Sequence, residues 1–241
     1  MGDIMKPWSL SKIQCYESCP MKYKYQYIDK IKPDTNCNEA LVKGSKIHNI
    51  LENIDNFIDD QSKGEEYDIV NNFIKSPLFK SISEKVQLGE KEVAFGIDII
   101  DGKLVPTEYN NKVLFRGKID LLYKNRIFDY KTGKFKSYDD QDWTQLKWYA
   151  IWFFLKYPEY DEVHISYLYV EHYLHNSITI RKSEIADITN DMLSRIRNVA
   201  IGESEPITKC NKSALCGWCG YMLLCEDKQN DMNIKVDFEL L

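Results

Sequence analysis

An α/β fold with a mixed central β-sheet flanked by helices is what this sequence predicts, on three observations. Helical and strand-like periodicities alternate along the 241 residues, in the order helices, strands, helix, strand, helix, then a cysteine-rich tail. No internal repeat and no Gly/Ser/Pro-rich linker interrupts them, so residues 1–241 read as a single domain. The composition, 44% hydrophobic and 29% charged, is that of an ordinary globular chain. At this length about 70–75% of the unfolded surface is buried on folding, so no cross-link is needed merely to have a core.

Each element has its own signal. Ser9 or Ser11 caps a helix running through Tyr16. Glu39 to about Ile58 is a second helix, with Leu41, Ile47, Ile50, Leu51 and Ile54 on one side. Residues 62–90 are weakly patterned and read as mixed helix and loop. From about Glu92 the period becomes strand-like, most clearly over Val113–Tyr123 and Arg126–Thr132. Gln141–Tyr157 is a strongly apolar helix. His164–Val170 and Ile178–Ile180 are short strands. Ser183–Ala200 is a capped amphipathic helix, with Ile185, Ile188, Met192 and Ile196 at helical spacing.

Charge and targeting signals narrow the function. The net charge of −5 argues against a protein held on nucleic acid by bulk charge. Met1–Pro7 has no apolar run for a signal peptide, and Lys6 departs from the myristoylation pattern. Trp148–Leu155, the longest apolar run, is far short of the ~20 residues that span a bilayer. The expectation is a cytoplasmic protein, with no membrane partner and with reduced thiols. Seven cysteines in that setting point to metal rather than disulfides.

The most informative segment is Phe115–Lys134. With Lys124-Asn125 as a two-residue hairpin turn, Tyr123 faces Arg126, Leu121 faces Phe128 and Asp120 faces Asp129. Two carboxylates would then stand about 5 Å apart at their β-carbons, which destabilises a sheet unless a cation lies between them. A divalent cation suits carboxylate oxygens. Lys131 follows Asp129 by two residues and shares its face. Ile119, Leu121, Phe128 and Tyr130 take the other face, which can pack.

Gly117-x-x-Asp120 followed by Asp129-Tyr-Lys-Thr-Gly-Lys134 resembles motifs II and III of the PD-(D/E)XK nucleases. The RecB/AddB-like branch, including the CRISPR-associated RecB-like exonucleases, is the most similar. The resemblance implies a restriction-endonuclease-like core and Mg²⁺ or Mn²⁺ held by Asp120 and Asp129. It also implies that Lys131 is the catalytic lysine. Gly44 and His48 lie on one face of the second helix, and the resemblance makes His48 a third ligand. Glu52, a turn later, reads as an exposed helix residue that could touch the site, and Glu92 is equally open. Gln145-x-x-x-Tyr149 resembles the Q-x-x-x-Y motif of the same nucleases, implying supporting roles for both residues.

In the tail, Cys216, Cys219 and Cys225, separated by two and then five residues, form a metal-binding pattern. A closed four-thiolate site needs one more ligand, and Cys210 would make it purely local. Spacing does not separate zinc from iron–sulfur. The stretch around Cys19-Pro20 resembles the first block of the iron–sulfur AddB-like nucleases. That resemblance implies a 4Fe–4S cluster on Cys19, Cys216, Cys219 and Cys225. The cluster would join elements at about 9–30 and 205–228 and leave Cys15, Cys37 and Cys210 over.

Two basic clusters suit phosphates. Lys22 and Lys24, with Lys30 and Lys32, alternate with Tyr23, Tyr25 and Tyr27, though tyrosines so placed more often pack than stack on bases. Lys134 and Lys136 adjoin Lys131. The implied function is a metal-dependent DNA nuclease, an exonuclease acting on single- or double-stranded ends, in the cytoplasm of a bacterium or of a viral host. Replication or recombination proteins are its implied partners. The alternatives are a non-catalytic DNA-end-binding subunit, or the same nuclease stabilised by Zn²⁺.

Overall fold

The structure is a computed structural model and describes residues 7–34, 39–57 and 64–225. Cys37 and Ile58 therefore lie outside the described residues. The chain divides into two compact units, one drawn from Ala40–Leu193 and the other from the two flanking segments.

The central unit is a three-layer sandwich. Its sheet has six strands in the order β2-β1-β3-β4-β5-β6: β1 Glu90–Ile100, β2 Lys103–Glu108, β3 Phe115–Tyr123, β4 Arg126–Lys131, β5 Glu162–Tyr169 and β6 Leu174–Arg181. Every neighbouring pair is antiparallel except β4–β5, which is parallel. The crossover between those two strands is helix α6, Thr144–Lys156, as a parallel pair requires. Its apolar surface covers one face: Trp152 stacks on Phe95 with centroids 4.8 Å apart, and Trp148 meets Phe115 edge-on at 5.4 Å. Gly117 permits this approach, because a Cβ there would sit 2.6 Å from the Phe95 ring. Helices α3 (Glu39–Glu52), α4 (Glu65–Lys75) and α5 (Pro77–Leu88) cover the other face. Ile47, Leu51, Phe73 and Val86 pack there with Leu121, Phe128 and Tyr130, the apolar face expected of the hairpin.

Several local expectations are corrected. Residues 64–88 are two well-formed helices: Gly64 opens α4, Ser76 caps α5 by accepting from Phe79 N–H at 3.1 Å, and Pro77 follows at the first helical position. Leu41 is 69% exposed, since the first turn of α3 extends past the core that Ile47 and Leu51 fill. The last helix, α7, runs Ile185–Glu203 after a short 3₁₀ turn. The Glu184 carboxylate, rather than Ser183, serves that turn, accepting from Arg181 N–H at 2.7 Å. In the β3–β4 hairpin the left-handed residue is Lys124, with φ of 52°.

The flanking unit begins with α1, Leu10–Ser18, capped by Ser9 Oγ on Lys12 N–H at 3.3 Å. After Cys19 come α2, Pro20–Tyr23, and a π-helical turn over Lys24–Ile28. Its two chain segments are tied by hydrogen bonds. Asp34 N–H donates to the Gly220 carbonyl (2.9 Å), Tyr25 Oη to that of Leu224 (2.8 Å), and Tyr221 Oη to that of Ile31 (3.0 Å). Arg195 grips Glu17 through two nitrogens at 2.8 and 2.6 Å. Tyr23 is fully buried, donates to Glu203 and packs edge-on against Tyr16, so it serves the core rather than a base.

Candidate metal and carboxylate site

Three neighbouring strands carry one acid each across the sheet. The β1–β3 register pairs Lys91 with Leu121 and Val93 with Ile119, which sets Glu92 directly across from Asp120. On the other flank the β3–β4 register runs toward an Asp120–Asp129 pairing, but the ladder ends at Leu121↔Phe128. The Asp120 carboxylate itself takes the next bond, accepting from Tyr130 N–H at 2.7 Å. Asp120 and Asp129 thus follow the expected register but are not a ladder pair, because a side chain satisfies the Tyr130 amide instead.

Each acid has its own neutralising partner. Lys118 pairs with Glu92, and Lys131 Nζ lies 2.8 Å from Asp129 Oδ2. The middle acid, Asp120, has the Tyr130 amide and His48 Nδ1 at 3.5 Å. Helix α3 brings His48 there because Gly44, one turn earlier, lets the helix meet the end of β4. A Cβ at Gly44 would sit 3.0 Å from Thr132 Oγ1.

The two sides of this row differ. His48, Glu92 and Asp120 each offer a donor atom within 4.8 Å of the others, the only such group of three or more His, Cys, Asp or Glu among the described residues. They line an open cavity with Leu41, Gly44, Glu52, Lys118 and Thr132. Burial opposes the His48 imidazolium, but the hydrogen bond and charge of Asp120, with Asp129 and Glu92 beyond, outweigh it and raise the pKa above its ordinary value. Glu92 also has a φ of 54° inside a strand, a conformation that costs a residue other than glycine about 1–3 kcal/mol. The sequence left Glu92 open as a residue that could touch the site, and the β1–β3 register opposite Asp120 is what places it there.

Asp129, by contrast, is 2% exposed. Gln145 Nε2 donates to its Oδ1 at 2.8 Å, and Gln145 Oε1 accepts from Lys131 Nζ at 2.9 Å, so one amide holds both groups. The same nitrogen lies 2.8 Å from Tyr149 Oη. Gln145 and Tyr149, four residues apart on α6, thus meet the strand as one face of a helix. Burial, then the Asp120 charge, raises the Asp129 carboxyl to about 6, against the pull of Lys131. Lys131 Nζ also lies 4.6 Å over the Tyr167 ring. Asp129 does not join the His48–Glu92–Asp120 group, which brings Glu92 beside two of the three expected ligands.

In the flanking unit, Cys19, Cys210, Cys216, Cys219 and Cys225 line one cavity together with Lys22. No disulfide joins the described cysteines. A tetrahedral zinc site would bring four sulfurs to about 3.8 Å from one another. No three cysteine sulfurs among the described residues lie within 4.8 Å of one another. Cys15 stands apart chemically: burial pushes its thiol up to about 11. Lys24 pairs with Asp29 at 2.7 Å, while Lys134 and Lys136 are exposed on the loop after β4.

A group of donors that could hold a metal ion thus lies beside a buried Asp-x-Lys pair, on a mixed sheet between helical layers. The chain belongs to the PD-(D/E)XK nuclease superfamily, whose model matches residues 7–226. Among solved structures, the chain is similar to a candidate exonuclease from Eubacterium rectale at 15% identity and a TM-score of 0.53, covering 92% of this chain and 86% of that one. It also matches the structure of SSO0001 at 14% identity, covering 94% and 90%, with a TM-score of 0.42 that carries no argument. At these identities the likeness is one of fold. No curated protein matches the chain. No described helix is long and apolar enough to cross a membrane.

Proposed function

We propose that this chain is a divalent-metal-dependent DNA nuclease that hydrolyses phosphodiester bonds from DNA ends. The observation that carries this reading is the convergence of His48, Glu92 and Asp120 on one cavity beside the Asp129–Lys131 pair. Those three residues, with Asp129 on the buried side, would hold Mg²⁺ or Mn²⁺; an imidazole donor favours Mn²⁺. Such a cation supplies Lewis-acid stabilisation of the phosphate and lowers the pKa of water. The protein's own groups do the rest. Gln145 fixes Lys131 and Asp129 relative to each other, so the ammonium group is aimed before substrate arrives. In its cationic form Lys131 orients the attacking water or offsets charge growing on the phosphate. Lys134 and Lys136 supply contacts to the strand's phosphates.

The flanking unit enters the same proposal as a four-thiolate iron–sulfur site on Cys19, Cys216, Cys219 and Cys225. The donor chemistry fits, and all four residues line one cavity. Cys210 lines that cavity too and competes with Cys19 for the fourth position. An interior, reducing compartment goes with this reading.

The test is end-labelled DNA incubated with Mn²⁺, Mg²⁺ or EDTA. Degradation with either cation and none in EDTA is expected, and Lys131→Ala should slow it by about 10²–10³-fold, the scale of losing one preorganised charge donor. Full activity in Lys131→Ala or Asp120→Ala would overturn the site. Protein purified anaerobically should carry iron and sulfide in equal amounts. Stoichiometric zinc would instead give the thiolates to a zinc site.

A further inference from the structure

Between β4 and α6 the chain runs from Thr132 to Trp143 without a helix or strand. This is longer than the ~4–6 residues of most connections in compact domains. It is pinned from the two strands beneath it. Asn176, itself buried, donates to the Lys136 carbonyl at 2.8 Å. Tyr167 Oη donates to the Asp142 carbonyl at 3.0 Å, and Tyr169 Oη donates to Gln141 Oε1. Ser137 Oγ donates to Asp140 Oδ2 at 2.6 Å, and the Asp142 carboxylate accepts from Thr144 N–H at 2.9 Å, so two of the loop's acids serve its own shape.

What this fixed loop displays is aromatic. Tyr138 is 55% exposed and lies against Trp143, with ring centroids 5.5 Å apart. Trp143 in turn stacks on Tyr167 at 5.4 Å and 25°. Tyr167 is the ring beneath Lys131 Nζ. The result is a column of three rings from the surface to the Asp-x-Lys pair. Burying Tyr138 would have stabilised the fold by more than leaving it in water. Lys134 and Lys136 are exposed on the same loop and suit phosphates, while the π-faces carry no charge to oppose the acids beyond.

We propose that this column is a stacking site for an unpaired base of a single DNA strand, with Tyr138 as its outer ring and Trp143 as its support. The assignment rests on the nuclease reading above and gives that site its substrate class. A paired base is held edge to edge with its partner and, inside a duplex, has both π-faces covered, whereas an unpaired base can turn a free face onto a ring. Holding that base at the outer ring leaves the adjoining phosphates between the lysines of the loop and Lys131. Tyr138 and Trp143 are positioning residues, and Lys131 remains the group that meets the phosphate.

The experiment is equilibrium binding of fluorescein-labelled oligothymidylate, and of a blunt hairpin duplex, to the full chain in EDTA, where no cleavage occurs. Tyr138→Ala should weaken single-strand binding by about 5- to 150-fold, the equivalent of one stacked base, and leave duplex binding within about twofold. Tyr138→Phe should restore it. In the wild type the single strand should quench tryptophan fluorescence, and Trp143→Phe should lose that component while keeping its melting temperature. Unchanged single-strand binding in Tyr138→Ala, an equal loss on duplex, or no rescue by phenylalanine would each overturn the stacking site. A failure of the nuclease reading shows separately, as labelled DNA left intact by the wild type in Mn²⁺.

Discussion

Asp120 and Asp129 come from neighbouring strands of one hairpin, yet they sit in opposite surroundings. Asp120 faces an open cavity with His48 and Glu92, and its carboxylate is used by the Tyr130 amide. Asp129 is buried, held by Gln145 and Lys131, and its carboxyl is pushed up to about 6. The open side can admit a hydrated cation and exchange it. The closed side keeps an ammonium and a carboxylate in fixed register, at a cost in stability that a cation would relieve. One hairpin thus carries one acid open to a cavity and one held closed, and the difference comes from what packs beside each strand rather than from the acids themselves.

The sharpest way to break this comparison is at Glu92. Glu92→Gly removes a donor from the open side and relieves the positive φ. Metal-free protein should gain about 1 kcal/mol or less, since the Lys118 pair it loses is half exposed and contributes little. Apparent Mn²⁺ affinity should fall by about 10–100-fold, read as a smaller Mn²⁺-induced rise in melting temperature. A variant that loses stability without metal while keeping its Mn²⁺ response would make Glu92 a structural residue.

Asp129 tests the closed side through pH. Its carboxyl is raised in the folded state, so the native protein binds the proton more tightly than the unfolded chain does. The wild type therefore loses stability as pH rises from about 4 toward 6, the span between its ordinary and raised values, and the loss is complete above that. In EDTA, Asp129→Asn should be more stable than wild type at pH 7, with the difference fading as pH falls toward 4. Denaturant unfolding at pH 4, 5, 6 and 7 measures this. A pH-independent difference would remove burial of charge as the cause.

The smallest effect is expected at Cys15. Its raised thiol should alkylate slowly at pH 8, and Cys15→Ala should leave metal content and DNA cleavage unchanged. Loss of iron in that variant would move a ligand from Cys19 to Cys15.

Much of this molecule could be read from residues alone, because local chemistry decided it. The Lys124-Asn125 turn fixed the hairpin register, period-two alternation put Leu121, Phe128 and Tyr130 on the packed face, and four-residue spacing put Gln145 and Tyr149 on one side of α6. Asp120, Asp129 and Lys131 stand out for the same reason, charge at regular spacing within apolar runs, whereas His48 stands out only through the family resemblance. The helices over 64–88 were missed because their caps, Gly64 and Ser76, are ordinary turn residues until a core exists to receive Phe73 and Phe79.

Other features needed the tertiary structure, since each depends on a neighbour distant in sequence. Glu92 becomes part of the site only when β1 pairs with β3 and sets it across from Asp120. The facing carboxylates of the hairpin do not pair in the ladder, because Asp120 spends its oxygen on the Tyr130 amide where the strands part. The loop after Lys131 shows only its lysines in the sequence, and takes its shape once β5 and β6 pin it through Tyr167, Tyr169 and Asn176. Which groups carry charge and which face of each element is apolar follow from residue type and spacing alone. Which charge meets which was left to tertiary packing, because a carboxylate's partner and burial are set by chain brought in from elsewhere.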